Sequence, residues 1–332
     1  MLPGVTSGVA EPAPSGDLIL RAVSGPLGGA PLTPPATSRV FARPSSPPVR
    51  PADPDADRGG VDWLLYRLWE HCDATEAQLE MVKRFCELYS RYGLIDELGD
   101  PLPLFRACRH CDSCWAPVPQ SEVPRPENAE VSVPWIGSSY FIDRICALAI
   151  NSNRYGALGG HWWITRGHIR DLRAGIKPRG GFAYGTGSIL AAIEASLHGQ
   201  PLPEEPPNLD LIADAWHSTA FQESVKCAPE VGRGTPTGAM WQNCPSTYLL
   251  EELRLLQPRV LLLVGRTDVA PRVLDLIDAT EIDRGDHFQR HGADLFGSPA
   301  DVFSVNHPSW GHWKQSYPEL LASLKRSPAL AG

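Results

Sequence analysis

Three groups of residues in this chain have types and spacings suited to chemistry. The first is a set of thiols. Cys108 and Cys111 form a CxxC pair, Cys114 follows at the next interval, and Cys227 and Cys244 lie 17 positions apart much further on. A CxxC pair with two distant cysteines can close one four-thiolate site, which suits either zinc or an iron–sulfur cluster. Spacing alone does not choose between them. Isolated cysteines buried as small hydrophobes are the ordinary alternative. That alternative describes Cys72, Cys86 and Cys146, which sit inside apolar patterns, better than the polar stretch 108–114. The second group is Asn151 and His307, each placed just after a run of strand-forming residues. A neutral imidazole can donate a hydrogen bond to an oxygen that gains negative charge, and an amide can orient a water. The plainer account makes Asn151 and Asn153 turn residues and His307 a satisfied loop histidine. The third group is basic. Arg154, Arg166, Arg170, Arg173, Lys177 and Arg179 face one acid, Asp171, and Trp162 and Trp163 lie among them. Cations beside aromatics suit a phosphate backbone with unstacked bases. A solvated helix face is the competing account.

These residues need elements to hold them. Trp63, Leu64, Leu65, Leu68 and Trp69 recur at helical spacing, and so do Leu79, Val82, Phe85, Cys86 and Leu88. The spacing predicts two helices, about 61–72 and 75–92, with a core-facing stripe. Thr75 and Gln78 have the spacing of a capping box. From residue 145 the chain alternates between strand and helix. Apolar runs at 145–150 and 260–264 predict buried parallel strands, with further strands at 219–226 and 302–305. Helices are predicted at 189–197, 248–256, 269–277 and around 320–324. The alternation implies a three-layer α/β/α domain over about residues 60–328, with a central, mostly parallel sheet of about four strands. Function in such sheets collects at the carboxyl ends of the strands, here Asn151, Cys227, Gly265 and His307.

Composition limits the functions available. The chain has 332 residues and a net charge of −8, so it is no generic nucleic-acid glue and any such contact must be local. No apolar run approaches the length of a membrane span, and no secretory leader pattern opens the sequence. Cysteines in CxxC spacing fit a reducing, cytoplasmic setting better than a disulfide framework. Residues 1–58 carry 12 prolines and 6 glycines and read as a disordered tail. No Gly-rich Lys-Ser/Thr phosphate loop occurs, so ATP dependence is not expected.

The ordered motifs resemble the uracil-DNA glycosylase superfamily, in particular its iron–sulfur branch. Val225-Lys226-Cys227-Ala228-Pro229, then Cys244-Pro245, then the leucine-rich run 253–265 ending in Gly265 carry the resemblance. Asn306-His307-Pro308-Ser309 is similar to the family's His-Pro-Ser motif, and Cys108-Arg-His-Cys111 to its first cysteine pair. More weakly, Ala149 to Asn153 stands where the family has a Gly-x-(Asp/Glu/Asn)-Pro turn. The motifs span roughly residues 108–325.

The resemblance implies excision of uracil or another deaminated base from DNA, by flipping the nucleotide into a pocket. It would make Asn151 the water-positioning residue and His307 the stabiliser of the departing base. Asn153, Tyr155, Glu223 and Ser309 would lie around the base. Arg166, Arg170, Arg173 and Lys177 would lie against phosphates, and Trp310 would fill the vacated stack. Cys108, Cys111, Cys227 and Cys244 would hold a structural [4Fe–4S] cluster, with zinc as the alternative and Cys114 as a competing ligand. The aromatic under the base could be Tyr155, Phe182 or Tyr184. The expected partner is DNA, and the expected state is a monomer. Two departures stand out. Ser152 and Asn153 replace the Pro and Gly of the family's first turn. Glu223 stands where the family has an Asn that reads the uracil edge, and a carboxylate donates to a carbonyl only when protonated. These departures leave a binding module without glycosylase activity as the first rival. A zinc-stabilised α/β hydrolase of unrelated substrate is the second.

Overall fold

A computed structural model of the chain describes residues 60–95, 110–116, 131–151, 159–176, 181–203, 207–226, 236–308 and 311–329, with backbone alone at 111, 115 and 151. The expected disordered tail, residues 1–58, lies outside the described residues.

The two N-terminal helices form where the periodicity places them, α1 at Val61–Cys72 and α2 at Glu76–Arg91. Leu64 and Leu68, one turn apart, carry the buried face of α1. Asp73 ends that helix in a left-handed conformation, with φ 51°. Thr75 and Gln78 make the capping box, each side chain accepting from the other's backbone N–H. Gln78 has a second role. Its Nε2 donates to the Ile136 carbonyl at 2.6 Å, which ties the start of α2 to the sheet.

The sheet has seven strands rather than about four. In chain order they are β1 Trp135–Ile136, β2 Ile145–Asn151, β3 Thr219–Val225, β4 Val260–Val264, β5 Thr280–Arg284, β6 Phe288–Asp294 and β7 Pro299–Val305. Their spatial order is β1-β3-β2-β4-β7-β6-β5. The four expected strands form the parallel centre, β3-β2-β4-β7. The additional three are antiparallel and lie toward the edges. The difference has a physical cause. Central strands are covered on both faces and read as continuous apolar runs, such as VLLLV in β4. β5 (TEIDR) is mostly exposed and reads as charged surface.

The remaining helices are α3 Cys111–Trp115, α4 Tyr140–Asp143, α5 Gly160–Arg173, α6 Phe182–Leu197, α7 Leu209–His217, α8 Gly238–Cys244, α9 Leu250–Leu256, α10 Ala270–Leu276 and α11 Trp313–Arg326. A π-helical turn, Pro245–Leu249, joins α8 to α9. Side-chain alternation along β3 shows the layering. Phe221 and Glu223 face α5, α6 and α7, through His161, Phe182 and Trp216. Lys226 meets Glu252 of α9 and through it Tyr89 of α2. No described helix is long and apolar enough to cross a membrane.

Candidate functional site

Strand register places the first two candidate residues. Leu148 of β2 lies opposite Leu263 of β4, and Leu263 lies opposite Ser304 of β7. Asn151 and His307 each follow that line by three residues, so they reach the same level at the carboxyl rim. One strand separates β2 from β7, so the two chains are roughly 10 Å apart there, enough to admit a nucleoside. Of Asn151, only the backbone is described, as the last residue of β2 opposite Val225.

The loop carrying His307 is firmly held. The Asn306 backbone N–H donates to Ser316 Oγ, and that hydroxyl donates to the His287 carbonyl. The Asn306 side chain meets His287 Nδ1 at 3.1 Å and accepts from Arg266 Nε at 3.3 Å. Pro308 is buried against α6 at Gly185. A Cβ at Gly185 would stand 2.7 Å from Pro308 Cβ and 2.8 Å from Trp313 Cδ1, so only glycine permits this approach. His307 itself stays accessible to solvent. Desolvation by the surrounding protein lowers its pKa, with Asp268 opposing and His312 assisting. The imidazole is therefore neutral near pH 7, the form that donates one hydrogen bond without carrying charge.

A continuous set of rings leads inward from His307. Phe182, the first residue of α6, lies 5.5 Å from it between centroids. Phe182 meets Phe221 at 5.6 Å, and Phe221 meets His161 edge-on at 5.1 Å. His161 Nε2 lies 4.0 Å from Glu223 Oε1. Of the three aromatics expected to compete for the place under the base, two are described, and Phe182 is the one of these in this line. Tyr184 turns instead to Trp313 of α11, and Tyr155 lies outside the described residues.

Glu223 is buried, and its Oε2 has no hydrogen-bond partner among the described residues. Burial raises its pKa to about 8, against a smaller lowering by the Lys226 charge. His161 is equally buried, and desolvation followed by Lys226 lowers its pKa to about 3. Both groups are thus uncharged at neutral pH. On the opposite face, Lys226 Nζ pairs with Glu252 Oε1 at 2.7 Å and donates to the Glu223 carbonyl at 2.8 Å. Tyr89 donates to the same Glu252 oxygen. This buried ion pair fixes the end of β3 immediately before Cys227.

The cysteines are partly placed. Cys114 is buried on α3, which packs on α8, the helix ending in Cys244. Asn243 Nδ2 lies 3.3 Å from Cys114 Sγ, and Thr237 Oγ1 donates to the Cys114 carbonyl at 2.8 Å. Cys111 belongs to α3, while Cys108 and Cys227 lie outside the described residues. Cys86 and Cys146 are core residues, as their apolar surroundings imply, and Cys72 is half-buried.

The three described arginines of the basic stretch lie along α5 and each meets a carboxylate. Arg166 pairs with Asp73 at 3.3 Å, Arg170 with Asp171 at 3.3 Å and Arg173 with Asp214 at 2.8 Å. Arg170 and Arg173 are exposed and Arg166 is half-buried, so the pairs of the first two are weak and a phosphate can compete with them. Asn153, Lys177, Ser309 and Trp310 lie outside the described residues. At the other end of the sheet, Asp143, Glu194 and His198 bring ligand-type atoms within 4.8 Å of one another, with His198 Nε2 on Asp143 Oδ1 at 2.8 Å. Asp143 lies just before β2, at the amino end of the sheet, so the group takes no part in the rim.

Sequence reasoning missed His161, Phe221 and the Lys226–Glu252–Tyr89 network. The available signals were faint: a Gly-Gly pair before His161, and a lysine at the end of an otherwise buried strand. No match is found among curated proteins. Residues 188–325, from within α6 to near the end of α11 and so including Glu223, Cys227, Cys244 and His307, match the model of the uracil DNA glycosylase superfamily.

Proposed function

We propose that residues 60–328 form a DNA glycosylase that extrudes and excises uracil or another deaminated base in DNA repair. The observation that carries this reading is the shared level of Asn151 and His307 on two parallel strands, with Phe182 and the Glu223–His161 pair behind His307. In that space His307 would donate to the base oxygen that gains charge as the C–N bond breaks. Its lowered pKa suits this role, because a neutral imidazole stabilises an oxyanion without surrendering a full proton. Asn151 would hold the water that attacks the sugar carbon. Phe182 would give the extruded base an apolar face. The arginines of α5 start about one turn beyond His161 and continue along the helix, so they would follow phosphates away from the pocket.

A four-thiolate site would stand where α3 packs on α8, the place of the two candidate thiols with described side chains, Cys114 and Cys244. Cys114 is buried beside the helix that ends in Cys244, and an Asn243 amide donor faces its sulfur. Cys111 and Cys114, with Cys227 and Cys244, make the set we favour, in place of the pair Cys108–Cys111. A [4Fe–4S] cluster held there would supply structure, clamping α3 to α8 and to the end of β3. Zinc is the alternative, and brown colour in anaerobically purified protein separates the two.

The test is base release. Single- and double-stranded oligonucleotides carrying one uracil, hypoxanthine or xanthine are incubated with the protein, and alkali cleaves at abasic sites. Release of one of these bases is the expected result. No release by cluster-loaded protein that still binds DNA would favour the module without glycosylase activity.

A further inference from the structure

We propose that Glu223 works as a neutral carboxylic acid, its Oε2–H donating to a carbonyl oxygen of the extruded base, so that the site takes lactam bases in which C=O stands beside a ring N–H. This rests on the glycosylase reading and names the edge that the pocket reads. The geometry points to it in three ways. Oε2 is buried and has no hydrogen-bond partner among the described residues, so it is open to pairing with a polar group of a ligand. An unsatisfied buried oxygen is costly, and a ligand that pairs with it gains accordingly. Glu223 also lies on the sheet face that leads through Phe221 and Phe182 to His307, the face where an extruded base would stack. Finally, Glu223 pairs in register with Ala149, two residues short of the rim position Asn151, so its place on β3 is one step below the level of the rim.

Its protonation state follows from its neighbours. Among the described residues, the titratable groups around the carboxyl are His161 on α5 and Lys226, the residue after its own strand. His161 is held neutral by burial and offers no cation to draw the proton away. Lys226 directs its ammonium to Glu252 of α9 and to the Glu223 backbone carbonyl. Ala149, facing from β2, carries no charge. The acid therefore keeps its proton through neutral pH, in line with its raised pKa. In that form one oxygen donates and the other accepts, the complement of a lactam edge. An ionised carboxylate would offer two acceptors and would select exocyclic amino groups instead.

The experiment measures release of uracil from a single-stranded oligonucleotide between pH 6 and pH 9, with wild type and Glu223→Gln. Glutamine has the same donor-and-acceptor pattern and cannot ionise. Wild-type release should fall roughly tenfold from pH 7 to pH 9 as the acid ionises. The variant's rate should stay flat over that range, because its amide cannot ionise, and this also controls for ionisation of the substrate. In parallel, fluorescence anisotropy compares binding of uracil- and cytosine-containing strands at pH 6 and pH 9. A preference for uracil at pH 6 that disappears at pH 9 in wild type alone supports the proposal. If binding shows this pattern and no base is released, the glycosylase reading fails while the reading of Glu223 stands. Equal pH profiles in the two proteins overturn the proposal, as does a binding preference for cytosine or one that does not change with pH.

Discussion

Replacing Glu223 by glutamine should stabilise the protein, and more so as pH rises. The carboxyl is 3% exposed and its folded pKa is about 8, against an ordinary value of 4.5. Folding therefore takes up a proton at this site between those two values. Since the folded state binds the extra proton, stability falls with rising pH across the window and levels off above about pH 8. Each pH step of one between the two values costs about 1.4 kcal/mol, so the full window is worth at most roughly 5 kcal/mol, and about 3 kcal/mol is lost by pH 7. The glutamine variant keeps the shape and has no proton to lose. His161 acts in the opposite sense, because a folded pKa of about 3 costs stability as pH falls below 6.5. That contribution is common to both proteins and cancels in their difference. Thermal unfolding of wild type and variant at pH 5, 7 and 8.5 reads the effect. At about 2–4 °C per kcal/mol for a domain of this size, the variant should melt roughly 6–12 °C higher at pH 7 and close to wild type at pH 5. A constant gap, or a wild type that gains on the variant as pH rises, would mean that Glu223 is charged and paired.

Other perturbations test the framework of the site. Gly185→Ala places a methyl group against Pro308 and Trp313, so it should cost about 1–3 kcal/mol in thermal unfolding and slow base release by shifting His307. Glu252→Ala strands the buried Lys226 ammonium and should cost about 3–5 kcal/mol in denaturant unfolding, with much of the loss recovered in Lys226→Met/Glu252→Leu. Asp301→Asn breaks the two-pronged contact with Arg290, at 3.0 and 2.8 Å, which is buried between β6 and β7. A loss of about 3 kcal/mol by the same measurement is expected, because the guanidinium stays buried.

The sequence exposed what depends on local pattern. Continuous apolar runs identified β2 and β4, and those strands carry the sheet's centre. The capping box at Thr75 and Gln78 marked the start of α2. Edge strands were illegible because β5 alternates little and carries Thr280, Glu281, Asp283 and Arg284 on a mostly exposed ribbon. The sequence could suggest that Asn151 and His307 share a rim, but only strand order and register bring them level. Glu223 drew notice by its type. That it is buried beside His161, 62 positions away, follows from β3 pairing with β2 while α5 packs over that face. Long-range placement of this kind leaves no period in the sequence. The arginines of α5 were legible as charge, but their partners Asp73 and Asp214 lie on other helices or turns and could not be foreseen.

On the proposed reading, the rim between β2 and β7 breaks a glycosidic bond. The most direct measurement is the single-turnover rate of uracil release from a single-stranded oligonucleotide by wild type, His307→Ala and Asn151→Ala. Wild type should release the base, and loss of His307 should slow release by about 10²–10³-fold, the range for one donor to a developing oxyanion. Asn151→Ala should slow it as well, with DNA binding retained in both variants. Equal rates in all three proteins would mean that neither His307 nor Asn151 takes part in base release.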